Sequence, residues 1–192
     1  MESWHSYGLS EGEKTLIAEL RKAASAAIMH PILKICNQPD FENADLSEFQ
    51  FAISIQGRGS RPAVLRPDFQ GRRLDLYFDD VLEGVPGAAT MPDIDALFDF
   101  AKIWLSLARP DPASASIVIH CAAGVSRSAA SAMLPLTLYF GYHRPAAVHL
   151  FRTHPHVIPN PWICRLISRK LGPAYGDILE ALAKGKKQAS QF

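Results

Sequence analysis

The sequence predicts an α/β protein: a central, mostly parallel sheet of about four or five strands flanked by helices, with a helical C-terminal half. Three observations carry this. Short apolar or alternating runs at "FQFAISIQ", "RLDLYF" and "SIVIH" read as strands. A helical pattern lies between the second and third of them, and a strand–helix–strand order implies parallel pairing with a right-handed crossover. After Cys121 the chain shows only helix starts and stops, with no further strand pattern.

At 192 residues, 48% of them hydrophobic, the chain is long enough to bury a core as a single domain. A formal net charge of +1 supplies no overall field to draw in nucleic acid or an anionic membrane, so neither is expected as a partner and any affinity for anions must be local. The three cysteines, Cys36, Cys121 and Cys164, form no CxxC pair or Cys/His cluster. No metal or other cofactor is therefore expected, and free thiols fit a reducing compartment. The N-terminal "MESWHSYGLSEGEK" has neither a basic region followed by an apolar one nor a long apolar run, which predicts a cytoplasmic protein. Nothing in the sequence sets the oligomeric state.

Taken in order, Ser10 and Glu13 form a capping box before a helical stripe of Leu16, Ile17, Leu20, Ala24, Ala27 and Ile28, ended by Pro31. The acidic stretch from Pro39 to Glu48 reads as a connection, so residues 1–48 are expected to be an N-terminal helical extension and linker. The strand "RLDLYF" carries Leu74, Leu76 and Phe78 at period two, and "SIVIH" is apolar throughout, as expected of a strand covered on both faces. The intervening helix starts at Thr90, with Pro92 and Asp93 in its first turn and Ile94, Leu97, Phe98, Ala101 and Leu105 on its inner face. Four helices are expected after Cys121. One is opened by Arg127 or Ser128 and a short one starts at Pro145. A third is capped by Asn160 with Pro161 and closed by Gly172, and a fourth ends at Gly185, leaving 186–192 as a frayed tail.

If the strands are parallel, their carboxyl ends share one edge, where open α/β sheets bind ligands. That edge would carry Gly57 to Arg61, the pair Asp79 and Asp80, and the loop "HCAAGVSRS". The residues between Cys121 and Arg127 suffice to wrap once around a tetrahedral anion, with amides inward and a helix N-terminus behind. Ala122, Ala123 and Gly124 let the backbone approach closely, Val125 and Ser126 complete the turn, and Arg127 can hold two phosphate oxygens in its planar fork. The same field favours a thiolate at Cys121, a nucleophile at neutral pH.

His120, Cys121, Gly124, Arg127 and Ser128 match H-C-x2-G-x2-R-[ST], and in this the sequence resembles the cysteine-dependent protein tyrosine and dual-specificity phosphatases, most closely the small bacterial members. The resemblance spans roughly Phe51 to Gly172. It implies a phosphatase that passes through a phosphocysteine intermediate, needs no cofactor, and acts on a phosphorylated protein or peptide. By position it implies Cys121 as nucleophile, Arg127 as phosphate clamp, Ser128 as an aid to the thiolate and to hydrolysis of the intermediate, and His120 as a buttress of the loop. Asn160, in "VIPNP", resembles the asparagine that follows the last loop in dual-specificity members. The sequence lacks the Trp-Pro-Asp triplet, so the general acid is sought where dual-specificity members keep it, at the end of the preceding strand. There Asp80 shares the parity of Leu74, Leu76 and Phe78 and is favoured, with Asp79 second.

Other motifs have plainer readings. "QGRGSR" reads as a turn, with Arg58 and Arg61 as secondary anion contacts. His154 and His156 lack a third metal ligand and read as loop residues. Cys36 and Cys164 read as core thiols, either of which would pair with an oxidised Cys121 if the fold brought it close. No extra cation stands among Ala122, Ala123, Val125 and Ser126, which points away from polyphosphorylated substrates and toward phosphotyrosine, with or without phosphoserine and phosphothreonine. The alternatives are a phosphate-binding module with little turnover and a sulfur-transfer enzyme.

Overall fold

The structure, a computed structural model, describes residues 30–67 and 69–191. The capping box at Ser10 and the stripe from Leu16 to Ile28 lie outside the described residues.

Four strands, β1 (Leu33–Cys36), β2 (Phe51–Gln56), β3 (Arg72–Tyr77) and β4 (Ile117–His120), form one sheet in the order β1-β4-β2-β3, with every pairing parallel. The α/β class and the helical C-terminal half are as the sequence predicts. The pairing is not: β3 and β4 flank β2 instead of each other. Alternation along β2 explains its central place. Phe51, Ile53 and Ile55 enter the main core while Ala52 faces a second, smaller cluster with Cys36, Phe41, Leu46, Phe49, Ala63 and Val118. A strand with both faces buried needs neighbours on both edges to satisfy its backbone.

The segment from Pro31 to Glu48 is more than a connection. It contains β1, an edge strand that sequence reading missed, and α1 (Gln38–Asn43). Asn37 caps α1 by accepting from Asp40 N at 2.8 Å, and Pro39 sits in its first turn, so its start signal was present in the sequence. His154 Nε2 accepts from Ile35 N at 3.0 Å, which gives an edge-strand donor a partner, there being no further strand beside it among the described residues.

Helix α2 (Met91–Ala108) begins after Thr90, as expected, and Thr90 and Asp93 form a capping box there. Its buried face is Ile94, Leu97, Phe100, Ala101, Trp104 and Ala108; Phe98 and Leu105, expected inside, are half-buried. Trp104 on this face is fully buried, and its Nε1 is satisfied there by donating to Ala115 O at 2.7 Å. Helix α3 (Arg127–Phe140) is buried continuously from Arg127 to Leu138 and forms the axis of the helical half. Helix α4 (His143–Thr153) starts two residues before the expected Pro145, and α5 (Pro161–Leu171) has the expected Asn160 and Gly172 at its ends. Helix α6 (Ile178–Ala189) does not stop at Gly185. A Cβ there would stand 2.8 Å from Ala147 Cβ, so this glycine marks close packing of α6 on α4 and not a helix end. Among the described residues no helix is long and apolar enough to cross a membrane.

Candidate active site

All four strands run the same way, so Asn37, Gly57, the Asp79–Asp80 pair and Cys121 follow strand ends on one edge. The turn from Cys121 to Ser126 joins β4 directly to the N-terminus of α3. Gly124 has φ +69°, and a Cβ on it would lie 2.5 Å from the Cys36 carbonyl carbon and 2.7 Å from Asn37 N. Glycine is needed there for the turn and for the contact with the end of β1. Gln38 N donates to Ala122 O at 3.3 Å on that side; on the other, Ile158 N donates to Val125 O at 3.0 Å and Asn160 N to Ser126 O at 3.3 Å. The loop is thus held from both flanks, with Ala122 and Ala123 exposed at its mouth.

Cys121 is 2% exposed, and its Sγ lies 3.2 Å from Ser128 Oγ. Burial pushes the thiol up, but hydrogen bonds from the Ser128 hydroxyl and from the amides of Ser128, Gly124 and Val125 outweigh it and hold the group below an ordinary thiol. The other two cysteines move the opposite way: burial pushes Cys36 and Cys164 up to about 12. Cys36 pairs in register with His120 beside the loop, whereas Cys164 is in the main core on α5.

Arg127 is 6% exposed. Its Nη1 donates to Phe78 O at 2.8 Å, and its Nε, also buried, has no partner among the described residues. One side of the guanidinium is therefore anchored to the chain just past β3, while a charged donor is left without an acceptor, an arrangement that costs free energy unless an anion supplies one. His120 is fully buried, stacks on Phe41 with ring centroids 4.0 Å apart, and has Nε2 2.7 Å from Ser54 Oγ. Burial lowers it to about 4, so it is neutral at pH 7 and brings no charge to the loop that follows it. Neither Phe41 nor Ser54 carries a motif, and sequence reading did not find them.

The two aspartates separate. Asp80 Oδ1 accepts from Ser126 Oγ at 2.8 Å and from Asn160 Nδ2 at 2.7 Å, which places its exposed carboxylate at the loop. Asp80 Oδ2 has no hydrogen-bond partner among the described residues. Asp79 turns away: its Oδ1 accepts from Arg58 N at 3.0 Å and its N donates to Gly87 O at 2.8 Å. Arg61, read from sequence as an anion contact, is committed elsewhere, since its Nη1 and Nη2 meet Glu42 Oε1 and Oε2 at 2.8 and 2.7 Å. His154 is taken up by Ile35, and the described residues contain no group of three His, Cys, Asp or Glu able to hold a metal ion.

The arrangement can hold a tetrahedral dianion against a nucleophilic sulfur, with one carboxyl group beside it. No protein-family model and no curated protein sequence matches the chain. Solved structures do match by fold. The human tyrosine phosphatase-like serine/threonine/tyrosine-interacting protein has a TM-score of 0.54 at 19% identity, over 72% of this chain and 90% of that one. Human DUSP28 has a TM-score of 0.54 at 17% identity, over 79% and 95%. A mouse putative dual specificity phosphatase complexed with zinc tungstate has a TM-score of 0.51 at 19% identity, over 93% and 97%. The parallel sheet, the helices around it and these likenesses together show that this chain has the fold of the dual-specificity phosphatases.

Proposed function

We propose that the protein hydrolyses phosphotyrosine monoesters in proteins or peptides, with or without phosphoserine and phosphothreonine, through a cysteinyl-phosphate intermediate. The observation that carries this reading is the setting of Cys121: its Sγ lies 3.2 Å from Ser128 Oγ on the loop that ends at the buried guanidinium of Arg127, whose Nε has no partner among the described residues, and there the thiol is held below an ordinary one while burial pushes Cys36 and Cys164 up. A core cysteine has no need of that setting.

In the first step a lone pair of Cys121 Sγ attacks phosphorus. The S–P bond forms as the P–O bond to the leaving group breaks, and Asp80 Oδ2 gives its proton to the departing oxygen. The loop amides and Arg127 receive the charge on the three equatorial oxygens. In the second step the Asp80 carboxylate takes a proton from water as the water oxygen attacks phosphorus. The S–P bond breaks, inorganic phosphate leaves, and Ser128 donates its hydroxyl hydrogen bond to the returning thiolate. Exposed Ile158 and Leu82, near the loop and the aspartate, offer apolar surface suited to an aromatic ring.

Turnover of p-nitrophenyl phosphate by the wild type and by Cys121→Ser tests the proposal. Cys121→Ser is expected to lose at least about a thousandfold in kcat while still binding phosphate or tungstate in calorimetry. An inert wild type that binds phosphate would instead identify a binding module, and turnover that survives the substitution would exclude Cys121 as nucleophile.

A further inference from the structure

A groove of about 500 Å³ lies beside the aspartate pair. One wall is Arg58 and the segment around Gly87; the other is a face of α5 that runs from Trp162 in its first turn through Leu166 to Arg169 in its last. Hydrogen bonds tie both walls to the candidate site. Asp79 holds Arg58 N and Gly87 O, at 3.0 and 2.8 Å, and directly precedes Asp80. Trp162 N donates at 2.9 Å to Asn160 Oδ1, whose amide nitrogen holds Asp80, and Trp162 Nε1 closes the floor by donating to Ala89 O at 3.0 Å.

The charges in the groove are open to exchange. Arg58 is exposed and its side chain has no partner among the described residues. Arg169 Cζ lies over the Trp162 ring, 5.0 Å from the centroid, a contact that limits its freedom without neutralising it. Its ion pair with Glu83, at 3.5 Å with side chains 57% and 53% exposed, is the kind that water and salt weaken, so another carboxylate can replace it. Two acidic groups adjoin the groove and both are already engaged: half-buried Asp79 accepts from Arg58 N, and Glu83 pairs with Arg169.

We propose that this groove receives an acidic side chain flanking the phosphorylated residue of a peptide substrate and holds its carboxylate between Arg58 and Arg169. The inference rests on the phosphatase reading above and adds a substrate preference to it.

The test compares two phosphotyrosine peptides that differ only in having aspartate and glutamate, or alanine, around the phosphorylated residue. The wild type is expected to favour the acidic peptide by about fivefold in kcat/KM, as for partly exposed ion pairs. The difference should lie in KM, and it should shrink as salt is raised. In Arg58→Ala/Arg169→Ala the ratio should fall toward one. Because the ratio is taken within each variant, a general loss of stability or activity does not move it. A ratio near one in a wild type that hydrolyses p-nitrophenyl phosphate overturns the groove and leaves the phosphatase reading standing. So does a ratio unchanged by the double substitution, and so does a dimer, seen in sedimentation and dissolved by Arg58→Glu, without peptide preference. Absence of p-nitrophenyl phosphate turnover would strike the phosphatase reading. Fluorescence anisotropy of the same two peptides on Cys121→Ser would then decide the groove: tighter binding of the acidic peptide supports it, equal binding overturns it.

Discussion

Asn160 donates its amide nitrogen to Asp80 Oδ1 at 2.7 Å across 80 residues of sequence, while its own Oδ1 caps α5 by accepting from Trp162 N and Ile163 N at 2.9 and 3.1 Å. One side chain thus starts a helix and sets the position of the candidate acid. Asn160→Ala should cost about 1 kcal/mol through the lost cap and also lower kcat. Asn160→Asp keeps a capping oxygen but loses the donor and sets a second carboxylate against Asp80. Its melting temperature should stay nearer the wild type than that of Asn160→Ala while kcat falls about tenfold. Equal kcat in Asn160→Asp and wild type would reduce Asn160 to a cap.

Asp80→Asn and Asp79→Asn should differ in kind. Without a proton donor, Asp80→Asn is expected to lose about a hundredfold or more in kcat, with a larger loss on phosphotyrosine than on p-nitrophenyl phosphate, whose leaving group needs less protonation. Asp79→Asn weakens the bond to Arg58 N and should leave the dependence on leaving group as in the wild type. Kinetics on a series of aryl phosphates measures this, and the reverse pattern would assign the acid to Asp79.

Loss of the Ser128 hydroxyl removes a hydrogen bond to the charged form of Cys121. A thiolate so deprived is less favoured, so the thiol of Ser128→Ala should titrate at higher pH than that of the wild type. Rates of alkylation by iodoacetamide against pH give both midpoints, and coincident curves would deny the hydroxyl this role.

Gly124→Ala would place a Cβ on a backbone with φ +69° and drive it into the Cys36–Asn37 peptide. Strain and overlap together should cost more than about 2 kcal/mol. Denaturant unfolding should show the loss, and tungstate affinity should fall with it because the loop can no longer close on β1.

Acid stability follows from the two buried histidines. Burial lowers both His120 and His143 to about 4, while the unfolded chain binds these protons near pH 6.5. Below pH 6.5 the unfolded state therefore carries more protons, and stability falls from there down to about pH 4, below which these groups no longer change it. The combined loss is on the order of a few kcal/mol. Urea unfolding between pH 7 and 4 measures it, and His143→Asn should show a shallower slope than the wild type.

The loop from Cys121 to Ser128 was legible because its pattern is local. Cys121, Gly124, Arg127 and Ser128 lie within one tight turn, so their spacing already implies the strand before it and the helix behind it, and the caps at Thr90, Asn160 and Gly172 were readable for the same reason. Edge strand β1 was not, since a short stretch next to prolines is made a strand only by β4 alongside it. Gly185 misled because a glycine in sequence does not reveal the helix pressed against it, here Ala147 of α4.

The sequence by itself determined the fold class and the residues of the loop, because periodicity, caps and a tight turn are set by neighbours along the chain. Only the tertiary structure decided which aspartate faces the loop, that Arg61 belongs to Glu42, and that Arg58 and Arg169 share a groove. Asp79 and Asp80 are adjacent and chemically identical, and what separates them is the partners that folding brings from residues 58, 87, 126 and 160.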